Sequence, residues 1–234
     1  MNRYAAAVAT AVLTLGGLAT AGPAAALENP ADLTKITVAS KVSIASSACR
    51  NVSVRYTAAA DPGWEFWGAD VEVHRNGVLK STEFVPSTAG LQPFFYCPSL
   101  DGFGKFTFGP SIVTGYDTVN IALPNFEDAT EASTWIKVAA RTSLSSTRKG
   151  SKVSFTAVTT RYALSQDRWI RWKSPKLTLQ RKRADGTWAP VGLVGYTSTG
   201  VAKKTITAPA TATYRVLAAG NSYAWSSTSG TTRR

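Results

Sequence analysis

The residues best suited to chemistry in this 234-residue sequence form a run in which cations alternate with indoles. The run is Arg168-Trp169-Ile170-Arg171-Trp172-Lys173, and a second basic triplet, Arg181-Lys182-Arg183, follows it. Guanidinium and ammonium groups bind phosphates and carboxylates, and indole rings stack on sugars or bases. We therefore predict an anionic-ligand site made by Arg168, Arg171, Lys173, Arg181, Lys182 and Arg183, with Trp169 and Trp172 as candidate stacking residues.

The sequence carries no pattern for catalysis or for metal binding. The single histidine, His74, follows an alternating apolar segment, and nothing near it provides a nucleophile. No Gly-x-Ser-x-Gly motif occurs, and the two cysteines are not clustered with histidine as in a zinc site. We therefore expect a protein that is not an enzyme, with no cofactor, no metal and no catalytic residues.

Charge is divided unevenly along the chain. Residues 27–135 contain 7 Lys/Arg and 12 Asp/Glu, a net charge of −5, whereas residues 136–234 contain 18 Lys/Arg and 2 acids, a net charge of +16. A net charge of about 2–8 is enough to keep a small domain soluble. The excess predicts an anionic partner for the second half: a cell-wall polymer, a polysaccharide, nucleic acid, a lipid surface or an acidic extracellular protein.

The N-terminus has the pattern of a secretory signal peptide. Arg3 provides a positive start, residues 5–21 are mostly apolar and small, and three alanines precede Leu27 as a signal-peptidase site. An apolar run of about 17 residues is short for a membrane span, which needs roughly 20. We predict that residues 1–26 are removed and that the mature chain is secreted, with no integral membrane segment.

The cysteine count agrees with export. Cys49 and Cys97 are the two cysteines of the chain. In an oxidising compartment such an even pair predicts one disulfide, which would stabilise the first half by roughly 2–4 kcal/mol.

The local patterns predict an all-β protein. Apolar and polar residues alternate in several segments, such as residues 52–56 and 177–180, as expected for strands with one buried face. The dipeptides Asn76-Gly77 and Asp185-Gly186 predict tight hairpin turns.

The two halves resemble each other, which indicates a tandem repeat of about 100 residues. Trp64 and Trp67 precede an alternating strand and a turn, and Trp169 and Trp172 do the same in the second half. Because the pair recurs in the acidic half, at least one of Trp169 and Trp172 is expected to be structural. This argument does not apply to the cations, for which the alternative to a binding site is a surface that only keeps the domain soluble. The repeat predicts two sandwich domains, residues 27–123 and 135–234, joined by a linker at residues 124–134.

The second half resembles an immunoglobulin-like repeat of secreted actinobacterial proteins, as found in Streptomyces. The resemblance rests on four stretches: Lys149–Ala157, Lys176–Val191, Thr197–Pro209 and Thr213–Ser229. It covers most of residues 136–234 and, more weakly, residues 35–122. It implies two tandem immunoglobulin-like β-sandwiches and an extracellular setting, and it implies no reaction.

Three functions are compatible with the sequence. The first is a secreted, non-enzymatic binding protein whose basic C-terminal module docks on an anionic extracellular polymer or cell surface. The second is an interaction or assembly subunit, in which the acidic half of one copy meets the basic half of another or of a separate protein. The third is an inhibitor of an extracellular enzyme.

Overall fold

Alternation of apolar and polar residues produces the secondary structure. The computed structural model describes residues 30–60, 66–88, 90–116 and 125–234. The predicted signal peptide and Trp64 lie outside the described residues. Where alternation was clearest, at Val52, Val54 and Tyr56, all three side chains are buried and their neighbours are exposed.

The first nine strands build one sandwich. In chain order they are β1 (Ala31–Val38), β2 (Lys41–Ile44), β3 (Arg50–Ala60), β4 (Phe66–Arg75), β5 (Val78–Pro86), β6 (Leu91–Tyr96), β7 (Gly104–Tyr116), β8 (Phe126–Asp128) and β9 (Ala132–Val138). One sheet has the order β1-β3-β6, and the other has the order β2-β9-β7-β4-β5 with β8 paired to β7. The short helix α1 (Pro98–Asp101) connects β6 to β7.

The remaining ten strands build a second sandwich. They are β10 (Ala140–Lys149), β11 (Lys152–Ala163), β12 (Arg168–Arg171), β13 (Leu177–Lys182), β14 (Trp188–Leu193), β15 (Gly195–Tyr196), β16 (Val201–Thr207), β17 (Thr213–Ala218), β18 (Ser227–Thr228) and β19 (Thr232–Arg233). One sheet has the order β10-β11-β16-β15 with β12 on β11, and the other has the order β14-β13-β17-β18 with β19 on β17. A 3₁₀ turn at Leu164–Gln166 leads into β12.

This strand order identifies the fold class. Immunoglobulin domains place strands A, B, E and D in one sheet and C, F and G in the other. In the second sandwich β10, β11, β16 and β15 occupy the A, B, E and D positions, while β13, β17 and β18 occupy C, F and G. In the first sandwich β1, β3 and β6 take A, B and E, and β4, β7 and β9 take C, F and G. The prediction of two tandem immunoglobulin-like β-sandwiches in an all-β protein is confirmed.

Each sandwich has its own apolar core. Val71, Phe106 and Phe108 are fully buried in the first, and Phe155 and Leu179 are buried in the second. The two groups of side chains form separate clusters, as expected for two folding units.

The end of the first sandwich lies further along the chain than the predicted linker. Strand β8 pairs with β7, and β9 pairs with β7 and, in parallel, with β2. Thr134, Ile136 and Val138 alternate inward on β9 and are buried, so this segment belongs to the first core face. The predicted linker, residues 124–134, therefore contains strands hydrogen-bonded to the first sandwich.

The predicted disulfide is confirmed, and its position differs from the bond between sheets in antibody domains. Cys49 is bonded to Cys97, with 4.1 Å between their Cα atoms. The two cysteines flank the paired residues Arg50 and Tyr96 at the ends of β3 and β6. The bond therefore links neighbouring strands of one sheet rather than the two sheets.

The hairpin predicted at Asn76-Gly77 is also confirmed. This turn connects β4 to β5, and its two residues have φ values of 52° and 81°. Positive φ at both central residues is typical of the tight turn that suits twisted strands, and glycine adopts it without strain.

The two sandwiches touch each other directly. The Val138 amide donates to the Tyr223 carbonyl, and the Trp225 amide donates to the Val138 carbonyl, each at 3.0 Å. The Trp225 indole N–H donates to the Val42 carbonyl at 2.9 Å, and the rings of Phe103 and Tyr223 meet edge to face at 5.0 Å. We refer to these contacts as the junction.

In the part of the chain that the structure describes, no helix is long and apolar enough to cross a membrane.

Candidate functional site

The six predicted cations fall into two groups at opposite ends of the second sandwich. Arg168 and Arg171 are on β12, which pairs with residues 160–163 of β11 beside the junction. Arg181 pairs with Tyr214, whose ring packs against Phe155 near the other end of β11. Five residues of β11 separate the levels of the two groups, a distance of about 17 Å. The two basic groups therefore do not form one continuous face.

The group beside the junction is exposed and partly engaged with neighbouring loops. The side chains of Arg168, Arg171 and Lys173 are all exposed. The Arg168 guanidinium donates to the Gln166 side-chain oxygen at 2.9 Å, and the Arg171 guanidinium donates to the Thr199 carbonyl at 3.1 Å. These single bonds leave the other N–H groups of both guanidinium ions available for a ligand.

The two candidate stacking residues are half-buried. The Arg141 guanidinium lies over the Trp169 ring, 3.7 Å from its centroid, and Tyr162 meets the same ring edge to face at 5.8 Å. Trp172 is tied to β11 through its main chain, since its amide donates to the Thr159 carbonyl at 3.0 Å and its carbonyl accepts from the Thr159 hydroxyl. One face of Trp169 is thus already occupied by a cation of the protein itself.

One of the two acids of the basic half, Asp167, is exposed and is hydrogen-bonded to other residues of the protein. Its carboxylate accepts hydrogen bonds from the Ser47 hydroxyl at 2.6 Å, the Ser47 amide at 3.3 Å and the Tyr162 hydroxyl. These donors lower the pKa of Asp167, with the Ser47 hydroxyl as the largest cause. The bond to the carboxylate correspondingly raises the pKa of Tyr162. The contact joins the two sandwiches, because Ser47 belongs to the first.

The other acid, Asp185, is hydrogen-bonded within the hairpin turn between β13 and β14. The Thr187 hydroxyl and amide donate to its carboxylate at 2.6 and 2.8 Å, and they lower the pKa of Asp185, the hydroxyl more strongly. Asp185 therefore stays charged and remains bound within the turn that follows Arg183.

The basic triplet at the far end lines a groove. Arg181, Lys182 and Arg183 are exposed and form part of one wall, together with Ala189–Val191 of β14. Residues 206–212, at the end of β16 and after it, form the other wall. The space between them has a volume of about 650 Å³. We call this space the distal groove.

The positive charge of the second sandwich is not neutralised by ion pairs. Within residues 30–60, 66–88, 90–116 and 125–234, the salt bridge found joins His74 to Glu72, and no lysine or arginine takes part in one. Asp167 and Asp185 are the acids of the basic half, and both accept hydrogen bonds from uncharged groups. The cations therefore face solvent, carbonyl oxygens of the backbone or of glutamine side chains, or aromatic rings rather than carboxylates.

A second group of cations and aromatic rings at the junction was not predicted from the sequence. Lys137 lies 4.6 Å from the centroid of Trp135 and 5.1 Å from that of Trp225, while Lys41 lies 5.4 Å from Trp225. Trp135 and Lys137 could have been found, since they are two apart on a strand and share its outer face. Trp225 could not, because it reaches this cluster from 88 residues further along the chain than Lys137.

Histidine and the acids form no further site in the described part of the chain. His74 Nε2 lies 2.7 Å from a carboxylate oxygen of Glu72, two residues before it on the same strand. No three His, Cys, Asp or Glu side chains among the described residues come together in a way that could hold a metal ion.

Comparison with known proteins adds little to this picture. No family model and no curated protein matches the sequence. Among solved structures, the ligand-binding domain of human OSCAR is similar over 84% of this chain and 95% of its own, with 16% identity and a TM-score of 0.29. The D00-D0 domain of intimin is similar over 87% of this chain and 98% of its own, with 9% identity and a TM-score of 0.26.

A third similar structure is a putative membrane-anchored protein from Corynebacterium diphtheriae. It matches over 85% of this chain and 52% of its own, with 13% identity and a TM-score of 0.25. Scores this low carry no conclusion about function. The strand order places the chain among proteins built from immunoglobulin-like β-sandwiches, and its candidate site is a cationic surface on the second of them.

Proposed function

We propose that the protein is an exported, non-enzymatic binding protein whose second sandwich attaches to an anionic polymer or surface outside the cell. Attachment is electrostatic and uses the group Arg168, Arg171 and Lys173 together with the group Arg181, Lys182 and Arg183. The two groups lie at opposite ends of the sandwich, so a long polymer can contact both, whereas a small ligand contacts one.

The observation that carries the proposal is that the charge of the second sandwich is unpaired. In the described residues no lysine or arginine forms a salt bridge, and both acids of the basic half accept hydrogen bonds from uncharged groups. A net charge of +16 over residues 136–234 repels itself and weakens the folded state. A bound polyanion removes this repulsion, which makes an anionic partner favourable for folding as well as for attachment.

An extracellular setting supports the proposal. The sequence predicts a signal peptide, and the second half resembles repeats of secreted actinobacterial proteins. The Cys49–Cys97 disulfide is of the kind that forms and persists in oxidising compartments. Cell-wall polymers, acidic polysaccharides, extracellular DNA and anionic lipids are the polyanions that such a protein meets.

The test is co-sedimentation with purified cell walls, prepared with and without their anionic polymer, over a series of salt concentrations. We expect retention that needs the polymer and decreases with salt, because contacts to phosphate release counterions. Two variants with three charges removed, Arg181→Ser/Lys182→Ser/Arg183→Ser and Arg168→Ser/Arg171→Ser/Lys173→Ser, share the same net charge. Each should be retained less than the unmodified protein. Retention that ignores salt and polymer content would show that the basic sandwich does not act through charge.

The first sandwich supports a second candidate, assembly with another protein. Among the residues that the structure describes, strands β5 and β6 are each at the edge of a sheet and pair with a neighbouring strand on one side only. Large apolar side chains are exposed on both, including Phe84 at 63% and Phe95 at 64%. Exposed edges of this kind accept a further strand from a partner. Sedimentation velocity at increasing protein concentration, without any polymer, tests self-assembly: a mass that stays monomeric would exclude a second copy as the partner.

A further inference from the structure

We propose that the distal groove binds a segment of a polyol phosphate chain, a flexible anionic polymer whose backbone contains neither bases nor sugar rings. This inference rests on the proposed function and names the ligand class and the place where it is held. Three observations carry it. They are the volume of the groove, the difference between its cationic wall and its opposite, uncharged wall, and the burial of Tyr214, the aromatic residue in its lining.

The groove has the size of a binding site and an accessible position. Its volume of about 650 Å³ lies within the range of 300–1,000 Å³ that is usual for small-molecule sites. It opens between the two sheets of the second sandwich, at the end away from the junction. On the same side of the sandwich, Lys204 donates to the Leu193 carbonyl at 2.8 Å and bridges β16 to β14. A linear chain can therefore enter the groove without displacing the first sandwich.

One wall of the groove carries three cations. Arg181, Lys182 and Arg183 are consecutive, exposed and without a carboxylate partner in the described chain. The nearest acid in the sequence, Asp185, is held by Thr187 in the turn, which leaves a surplus of two positive charges on this hairpin end. The planar guanidinium of arginine can bind two oxygens of one phosphate, and lysine contributes a compact charge.

The opposite wall is held by hydrogen bonds, and two of its carbonyl oxygens accept them from the side chain of Arg148. The Arg148 guanidinium donates to the Ala208 carbonyl at 2.6 Å and to the Ala210 carbonyl at 3.2 Å. The Ala208 amide also donates to the Ser151 carbonyl, and Ala212 exchanges two backbone hydrogen bonds with Arg234. These contacts hold the wall in place before a ligand arrives, which lowers the entropy cost of binding. Because Arg148 already binds both carbonyls, their repulsion of an incoming anion is reduced.

The lining favours a ligand without flat rings. Among the described residues that line the groove, the aromatic one is Tyr214, which is 1% exposed and packs against Phe155. The neighbouring indole of Trp188 is covered by the Arg215 guanidinium at 4.1 Å. Proteins that bind single-stranded nucleic acids stack the bases on exposed aromatic rings, and this groove presents none. Apart from Tyr214 and the basic triplet, the lining consists of aliphatic residues, two prolines and two threonines, Thr207 and Thr211, whose hydroxyl groups can bond to a polyol.

Isothermal titration of the protein with poly(glycerol phosphate) tests the inference. Oligogalacturonate and oligo(dT) with the same number of charges serve as comparison ligands at one ionic strength. The variant Ala210→Trp fills the groove from an exposed loop position without changing charge. Its matched control is Thr205→Trp, an exposed residue on the outer face of β16. We expect poly(glycerol phosphate) to bind most tightly of the three and to lose about tenfold in affinity in Ala210→Trp, because the added ring occupies its place. The control should stay within about twofold of the unmodified protein.

A pair of charge variants keeps the test independent of how Ala210→Trp folds. Arg181→Ser/Arg183→Ser and Arg168→Ser/Arg171→Ser remove two exposed charges each, so a site in the groove predicts a larger loss for the first pair. If poly(glycerol phosphate) binds but all four variants behave alike, the groove is not the site and the proposed function still stands. If oligo(dT) or oligogalacturonate binds more tightly and depends on the groove, the assigned ligand class is wrong. If none of the three polymers binds at low salt, the proposed function fails together with the inference.

Discussion

Removal of the Cys49–Cys97 bond should destabilise the first sandwich far more than the second. The bond closes a loop whose ends are 48 residues apart. This loop contains β3, β4, β5 and β6. The chain-entropy relation for a loop of this length predicts a loss of about 4 kcal/mol, because the unfolded chain gains the freedom that the bond had removed. The second sandwich has no cysteine and a separate core, so it provides an internal control.

Amide hydrogen exchange, resolved by peptide, measures both sandwiches in one sample. In the variant Cys49→Ser/Cys97→Ser, a loss of about 4 kcal/mol corresponds to exchange about 10³-fold faster for the most protected amides of β3 and β6. The amides of β11 and β13 should change little. An increase below about tenfold in the first sandwich, or an equal increase in both, would refute the loop argument. The equal increase would indicate that the two sandwiches open as one unit.

Three further predictions concern the junction and the basic surface. The pKa of Asp167 is lowered in the folded protein, so its ionised carboxylate stabilises the fold at pH values above the ordinary carboxyl pKa. This stabilisation is lost as the pH falls through the lowered pKa. Thermal unfolding between pH 6 and pH 2 should therefore show a loss of stability with acid that is smaller in Asp167→Asn than in the unmodified protein. Trp225→Phe removes the indole N–H that donates to the Val42 carbonyl, and it should destabilise the junction by about 1 kcal/mol. The loss should appear as faster amide hydrogen exchange in β2 and β9. Unchanged exchange in these strands would mean that this hydrogen bond does not stabilise the junction. In binding to poly(glycerol phosphate), Arg181→Ser should make the slope of log affinity against log salt shallower by about 1, and an unchanged slope would show that Arg181 makes no phosphate contact.

The junction limits how the second sandwich, with its distal groove, is oriented relative to the first. Strand β9 ends at Val138, which pairs with Ala224 of the second sandwich, and Lys137 donates to the Asn221 carbonyl at 2.8 Å. Ser47 and Asp167 add a contact on a different loop of each sandwich. Several contacts from separate elements restrict rotation between domains more than a flexible linker does. The distal groove therefore points away from the first sandwich in a defined direction.

Much of the fold could be predicted from local patterns. Alternation over residues 52–56 identified β3, and the Asn76-Gly77 pair identified the turn between β4 and β5, because both signals depend on neighbouring residues. The pair of cysteines identified the disulfide, since no other partner was available. The strands β8 and β9 were missed: the sequence around Phe126 is polar and acidic, and its pairing with β7 depends on residues that precede it by more than ten positions.

The candidate site was predictable in its residue types and not in its arrangement. Counting residues is enough to establish that the second half is strongly basic and has two acids, because charge is a property of composition. The position of Arg171 and Arg181 at different ends of the sandwich follows from the tertiary structure. The chain crosses from one sheet to the other after β12 and then runs the length of β13, so residues ten positions apart are carried to opposite ends. The groove itself needs β14, β16 and Arg148 at once, and strand register over long sequence separations brings these elements together.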